Sequence, residues 1–500
     1  MLLENQPLLA KVAKILEARQ VEAYLVGGAV RDLLLGRPMI VDLDFAVPGD
    51  GLITARRVAD GLKAAYYSLD PARGTGRVVY GKTGAAGDRK VHLDFATFRG
   101  PTLLADLEDR DFTINAMALN VTNLSQLIDP LQGRRDLDTG QIKAVSKATF
   151  EHDPVRVLRA VRQAVEFDFS IEPRTEQYLR QAVSSLNNVS PERKRDELMR
   201  LLNTPDPGRA VQVLSQLGIL PHILPEVGAL IGLRQSKPHH MDVFDHTAAV
   251  LAAWTNMVQA NFPDVSPAFR ANVVQYLNES LAGDLTLHDL MPMALLLHDT
   301  GKPLTRTEVS SGDKNNVYTK IRFVRHEKES AKITRSIMRR LRFSTQATSF
   351  VETVVAHHMR PLMLVQGGSA SRRAIFRFFR DTGGSGYQAG VAVALHSMAD
   401  HQATYSPGQG QRQKTALTAL TSKLIQAYFE QHDRIVDPPP LLTGRDLIEH
   451  FDLPEGRLIG LLLARLKEAQ ATGQIKDKTK ALDFITTDPD FVNYQQMKEM

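Results

Sequence analysis

Two aspartates, Asp42 and Asp44, interrupt the apolar run Ile40-Val41-Asp42-Leu43-Asp44-Phe45-Ala46-Val47 at alternate positions. Period-two spacing puts both carboxylates on one face of a β-strand and leaves the apolar side chains to the other. Two like charges held side by side repel unless a cation joins them. Immediately upstream, Tyr24-Leu25-Val26 runs into the turn Gly27-Gly28-Ala29-Val30-Arg31-Asp32, and Arg31-Asp32-Leu33-Leu34-Leu35-Gly36 reads as a short helix closed by glycine. A strand, a glycine turn and a helix start gather backbone N–H groups suited to phosphate oxygens. Arg31 adds a bidentate clamp. A strand edge with two solvated aspartates is the competing reading, and this context argues against it. Hard oxygen ligands beside a phosphate-binding turn suit Mg²⁺ and phosphoryl or nucleotidyl transfer.

A chain of 500 residues, 43% apolar and 23% charged, has the composition of a soluble protein of several domains. It contains no apolar run of membrane-spanning length, and its start, Met1-Leu2-Leu3-Glu4-Asn5-Gln6, lacks the basic and apolar regions of a secretory signal. Without cysteine it has neither disulfides nor thiolate metal sites, which fits a cytoplasmic protein. A net charge of +5 permits a polyanionic partner. The sequence leaves the oligomeric state open.

Residues 20 to about 145 alternate strand and helix signals, with strands predicted at Ala23–Val26, Val41–Val47, Arg77–Tyr80 and Val91–Thr97 and helices at Arg31–Leu35 and Ile53–Lys63. Beyond residue 148 the apolar spacing turns helical, with Pro173, Pro191, Pro205-Asp206-Pro207 and Pro221 at turns. Ser310-Ser311-Gly312-Asp313-Lys314-Asn315-Asn316 reads as an exposed loop, and linkers are expected at Ser406–Gln411 and Pro438-Pro439-Pro440.

Two further stretches carry chemistry. One is Leu107-Glu108-Asp109-Arg110-Asp111-Phe112-Thr113-Ile114-Asn115-Ala116-Met117-Ala118. The other is Asp153-Pro154-Val155-Arg156-Val157-Leu158-Arg159-Ala160-Val161-Arg162, whose charged residues recur every third position, neighbours on a helix surface. An aspartate beside an arginine offers an acceptor and donors like a base edge. Asp153 would accept from the exocyclic amine of cytosine or adenine, and Arg156 would donate to the ring nitrogen. A salt-bridge ladder along the helix is the alternative.

Taken in order with the Gly-Gly-x-Val-Arg-Asp…Asp-x-Asp pair, these stretches resemble the class II tRNA nucleotidyltransferase/poly(A) polymerase family over roughly residues 20–230. The resemblance implies an α+β protein: a polymerase-β-like head with a mixed sheet, followed by a long all-helical remainder. It implies that Asp42 and Asp44 are catalytic and hold Mg²⁺, and that Gly28, Arg31, Arg110, Asp111, Asn115, Asp153, Arg156, Arg159 and Arg162 bind nucleotide. Asp94 is a candidate third carboxylate. The implied activity is addition of C, with or without A, to the 3′ end of tRNA from CTP and ATP, releasing pyrophosphate. Poly(A) polymerase is the alternative within the family. The chain departs from the family pattern at His152, where glutamate is usual, and at Asp109, where a basic residue often stands. Between Arg99 and Asp106 it has only Gly100-Pro101-Thr102-Leu103-Leu104-Ala105, where family members that add all of CCA carry a longer flexible loop associated with the switch to ATP.

His246, His298-Asp299 and Asp400, with Thr300-Gly301-Lys302 after the His-Asp pair, resemble an HD-type phosphohydrolase domain that binds a second divalent metal. His326 and the adjacent pair His357-His358 match additional histidines of larger versions of that site, with His357 taken as the candidate ligand of the pair. Imidazole and carboxylate suit Mn²⁺, Ni²⁺, Fe or Mg²⁺. A phosphohydrolase whose head only binds RNA is therefore a third reading. The expected organisation is a head at 1–147, a nucleotide-selecting helical neck at 148–235, the HD-type domain at 236–405 and a helical tail at 406–500.

Overall fold

The computed structural model describes residues 7–37, 42–81, 90–282, 285–311, 318–368, 370–384, 386–406 and 408–499. Ile40 and Val41, most of the predicted loop at 310–316, Pro407 and the first six residues lie outside them. The chain forms two compact units, Met1–Val189 and Ser190–Met500.

The first unit is built on a seven-stranded mixed sheet. In chain order its strands are β1 (Tyr24–Val26), β2 (Asp42–Val47), β3 (Ala65–Asp70), β4 (Thr75–Tyr80), β5 (Val91–Thr97), β6 (Ala118–Asn120) and β7 (Asn123–Ile128). They lie side by side as β3-β4-β5-β2-β1-β6-β7. Only the β2–β5 pair is parallel; its register sets Asp42 opposite His92, Asp44 opposite Asp94 and Phe45 opposite Phe95. The alternation read from the sequence therefore does real sorting. Leu43, Phe45 and Val47 are buried on one face, where the rings of Phe45 and Phe95 stack with centroids 4.5 Å apart.

Helix α1 (Pro7–Ala18) precedes the sheet, α2 (Gly28–Leu34) follows β1, and α3 (Gly51–Leu62) follows β2. Asp50 caps α3 by accepting from the Leu52 and Ile53 amides. Gly51 permits the close approach that follows: a Cβ there would lie 2.3 Å from the Gly74 carbonyl and 2.7 Å from that of Phe95. Strands β3, β6 and β7 were not anticipated from the sequence, since β3 and β7 are largely solvent-facing and lack a clean apolar alternation.

Helices α4 (Leu103–Glu108), α5 (Gly133–Asp138), α6 (Thr149–His152) and α7 (Arg156–Phe167) complete the part of this unit that concerns the site. Asp153 is not on the helix with the three arginines, as its spacing suggested, but adopts extended backbone (φ −149°, ψ 96°) between α6 and α7. Pro154 is the reason, because its ring disfavours helical geometry in the residue before it.

The second unit is helical, as expected, with short two-stranded ribbons inserted; the longest pairs Arg306–Ser311 with Tyr318–Phe323. Five helices matter below: Val243–Gln259, Leu287–Leu297, His326–Arg340, Thr345–His357 and Gly390–Thr404. Residues from Leu442 to Phe491 form an apolar cluster of their own.

The stacked pair beneath β2 and β5 positions the aspartate row. Replacing Phe95 with alanine should cost about 3–5 kcal/mol, read as a lower chemical-denaturation midpoint for the first unit. A loss under about 1 kcal/mol would mean that this pair is not what sets the strand register.

Candidate active site and metal centre

Asp42, Asp44 and Asp94 share one face of the β2–β5 pair, three carboxylates on adjacent parallel strands. Asp94 is occupied: Arg77, its direct partner on β4, holds it with two hydrogen bonds of 2.8 and 2.7 Å. Asp42 accepts from or faces His92 Nδ1 at 2.9 Å and is otherwise open to solvent. Asp44 is exposed to solvent, although protein crowds its carboxyl. Its carboxyl is pushed above the ordinary range, first by lost solvation and then by the charges of Asp94 and Asp42, against the lowering influence of Arg110 and Arg77. Asp42 and Asp44 are thus left as two neighbouring carboxylates on one strand face, and a divalent cation fits between them.

Gly27 faces this pair. Its φ of 72° is left-handed, and a Cβ there would lie 2.9 Å from an Nη of Arg110 and 3.7 Å from Oδ2 of Asp44. The glycine turn therefore leaves room for the Arg110 guanidinium, which Asp106 anchors at 2.9 and 3.2 Å.

The remaining predicted nucleotide-binding residues form a buried network. Arg31 pairs with Asp32 at 2.9 Å, donates to Asn115 Oδ1 at 2.7 Å and lies over the Phe167 ring at 4.4 Å. Asn115 in turn donates to Asp111 at 2.8 Å and to Gln163 at 3.1 Å. Arg159 holds the other oxygen of Asp111 at 2.7 and 2.9 Å. Burial raises Asp111, but the Arg159 charge and the hydrogen bonds from Asn115, Arg159 and the Phe112 amide outweigh it and hold the carboxyl well below its usual range. Arg162 bonds Glu166 at 2.7 Å, and Glu166 also meets Arg37 at 3.3 Å.

Arg156 does not face outward as a base reader in this conformation. Its guanidinium donates to three main-chain carbonyls, those of Asp109 (2.8 Å), Arg110 (3.3 Å) and Thr149 (3.3 Å). The side chain clips α7 to the Asp109–Arg110 turn, a role that residue spacing alone cannot reveal. Gln163 was not anticipated for the same reason.

The second unit gathers a different set. His246 sits on Val243–Gln259, His298 and Asp299 follow Leu287–Leu297, His326 opens its helix, and His396 and Asp400 lie one turn apart on Gly390–Thr404. All are buried. His246 Nε2 lies 3.0 Å from Asp400, His298 Nε2 3.1 Å from Asp299 and His326 Nε2 3.3 Å from Asp299.

Of the adjacent pair His357-His358, it is His358 that completes this group, and not His357, the expected ligand: its Nε2 is 3.2 Å from that of His326. One residue along a helix turns the side chain by about 100°, and His357 instead has Arg360 beside it, which with burial lowers its pKa.

Three of these rings are fixed alike. Nδ1 of His298, His326 and His358 faces a carbonyl three residues back, at 2.8, 2.9 and 2.7 Å. A carbonyl only accepts, so Nδ1 carries the proton and Nε2 points its lone pair inward. Such backbone anchoring is how ligating histidines are oriented. Burial and the neighbouring imidazoles hold His358 well below the ordinary histidine range, and His396 is lowered to about 3. Among the described residues both nitrogens of His396 are buried without a hydrogen bond, whereas His246 Nε2 and His298 Nε2 face carboxylates. Lys302, unanticipated as a member, reaches Asp299 at 2.6 Å. This donor set fits a divalent metal of the imidazole-binding kind.

The comparisons agree with the first unit's architecture. Residues 23–143 match the family model described as "Poly A polymerase head domain", 168–230 the one described as "Probable RNA and SrmB- binding site of polymerase A", and 323–485 the one described as "tRNA nucleotidyltransferase domain 2 putative". The chain is 32% identical over 470 residues to the A-adding tRNA nucleotidyltransferase of Deinococcus radiodurans, covering 93% of this chain and 94% of that one. It is 28% identical to the CC-adding tRNA nucleotidyltransferase of a Synechocystis species, covering 93% and 92%. A solved CCA-adding enzyme shares the fold with a TM-score of 0.61 at 20% identity, covering 96% of this chain and 94% of that one.

If lost solvation and carboxylate crowding raise Asp44, the ionised side chain destabilises the folded state above the carboxylate range, and stability returns as pH falls through its raised pKa. Asp44→Asn should therefore raise the melting temperature in EDTA at neutral pH, with the gain shrinking on acidification. A lower melting temperature at neutral pH would show that the carboxylate is compensated within the fold. Its head, its aspartate row and a relative matched along nearly its whole length place the chain in the tRNA nucleotidyltransferase/poly(A) polymerase family.

Proposed function

We propose that the chain extends the 3′ end of tRNA, with Asp42 and Asp44 holding Mg²⁺ and a nucleoside triphosphate as donor. The observation that carries this reading is the aspartate row on β2, whose third member is neutralised by Arg77 while the first two are left for a cation. Mg²⁺, when bound, offsets the repulsion of the two carboxylates and the charge on the triphosphate. The chain's own residues do the rest. The RNA 3′-hydroxyl oxygen attacks the α-phosphorus and gives up its proton to solvent, the bond from that phosphorus to the bridging oxygen breaks, and pyrophosphate leaves with that electron pair. Arg110, anchored by Asp106 and facing Asp44, lies where it stabilises phosphate charge. The Arg31–Asn115–Asp111–Arg159 network ties α2 and α7 to the Asp111–Asn115 segment that follows Arg110.

C addition is the favoured specificity. The connection between β5 and α4 is only Phe98–Thr102, and it is tied down: the Phe98 amide bonds the Val47 carbonyl at 2.9 Å, the Arg99 amide bonds Asp106 at 3.1 Å, and Thr102 caps α4. A segment so held supplies no mobile element for exchanging CTP for ATP. The name of the Deinococcus relative favours the second reading, addition of A alone. A CCA-adding enzyme solved with ATP, one solved with CTP and the Thermotoga maritima enzyme complexed with tRNA support the choice of partners.

Asp42→Ala combined with Asp44→Ala should lower nucleotide incorporation by at least about 10³-fold, measured as pyrophosphate release with transcripts lacking CCA. Retained incorporation would remove the catalytic assignment. Sequencing products made with CTP alone, ATP alone or both, from tRNA ending at the discriminator base, should show two added cytidines and no adenosine. One adenosine on a CC end would favour the A-adding reading, and long adenosine tails on generic RNA a poly(A) polymerase.

The buried histidine–aspartate set of the second unit supports a separate divalent-metal centre, on the strength of its three backbone-anchored imidazoles.

A further inference from the structure

We propose that the aspartate face of the first unit's sheet continues past Asp94 into a platform for the RNA strand, where an unpaired base near the reacting end stacks on the ring of Tyr67 and Arg77 contacts a backbone phosphate. This rests on the reading just given, in which RNA brings its 3′-hydroxyl to Asp42 and Asp44.

The register sets four side chains in one row across the sheet. Asp44 on β2 lies opposite Asp94 on β5, Asp94 opposite Arg77 on β4, and Arg77 opposite Tyr67 on β3. Directly paired residues point to the same side, so Tyr67 shares the face of the aspartate pair. The other face is closed. Gly76 there meets Ala55 of α3, where a Cβ would come within 2.6 Å, and Val78, Leu93 and Phe95 are buried.

Adjacent tyrosines on β3 show the difference. Tyr66 lies on the α3 side, with the Arg56 guanidinium 5.3 Å from its ring centroid. Tyr67 is 59% exposed, and among the described residues neither its ring nor its hydroxyl has a partner. Leu69, at the bulge that follows, is exposed as well. A bare aromatic ring on a sheet face is a common seat for an unpaired RNA base, because every base has a face to stack.

Arg77 supplies the charge. Its Nε and Nη2 hold the two oxygens of Asp94, which leaves Nη1 without a bond among the described residues. Arg77 thus stands in the row between the aspartate pair and Tyr67 with N–H groups to spare for a phosphate. The glycine turn and Arg110 lie on the other flank of Asp44, beside β1. A triphosphate held there leaves the flank of β5, β4 and β3 to the RNA. Strands about 4.8 Å apart put Tyr67 roughly 14 Å from Asp44, the length of about four stacked nucleotides at roughly 3.4 Å each.

The test uses the full-length chain and a tRNA transcript ending in CC, with 2-aminopurine placed in turn at the discriminator base and at each cytidine. Without triphosphate, binding should quench the fluorescence at one of these positions. Tyr67→Phe should keep the quenching and Tyr67→Ala should abolish it, with near-native circular dichroism verifying the fold. In turnover, Tyr67→Ala should raise KM for tRNA at least about fivefold, the lower end of what stacking one base contributes, and leave KM for CTP where it was. Arg77→Gln should lower the salt slope of tRNA binding by about one; an unchanged slope removes the phosphate contact. Undiminished quenching in Tyr67→Ala overturns the platform, as does a rise in KM for CTP in place of tRNA, or a Tyr67→Phe variant as defective as Tyr67→Ala. An unmutated chain that binds tRNA but incorporates nothing overturns the reading of tRNA extension, and the quenching still decides the platform. A chain that binds no tRNA overturns both.

Discussion

The parallel pairing of β2 with β5 is the constraint on which the first unit turns. It sets phenylalanine against phenylalanine beneath the sheet and aspartate against aspartate above it. The two faces oppose each other energetically: stacking and burial hold the strands in register, while the same register crowds negative charge. Arg77 answers one of the three carboxylates from the neighbouring antiparallel strand. The other two remain, and the fold is arranged so that an ion can answer them.

The second unit reaches a comparable end by other means. No strand register lines up its ligands. They arrive from five helices and the residues that directly follow them, and each of three imidazoles is turned inward by a carbonyl within its own chain segment. Local backbone geometry thus orients the rings, and helix packing has only to bring them close. Burial then makes every unmatched nitrogen expensive, which is why a buried set with several unmatched atoms reads as chemistry and not as packing.

Much of this was legible in the sequence wherever the signal was local. Alternation around Asp42 and Asp44 gave the strand and its two faces, and the His-Asp pair after an apolar run marked the second cluster. What stayed hidden depends on contacts between distant segments. Asp94 looked like a third ligand until its cross-strand partner Arg77 was visible. Arg156 was spaced to read a base, yet three carbonyls from two other segments hold it. His357 and His358 are adjacent in sequence, and only the rotation of their helix decides which one faces the cluster. The Pro154 ring was in plain view and was the one local signal whose effect on Asp153 the helical spacing obscured.

Arg156 and Asp44 differ in what their presence testifies. A guanidinium that rivets three carbonyls cannot be replaced by an ammonium without abandoning some of them, so selection for mere foldedness would keep it even in a lineage that had gone silent. Asp44 sits where lost solvation and neighbouring carboxylates oppose its charge. Its replacement separates what the architecture needs from what a bound cation would use.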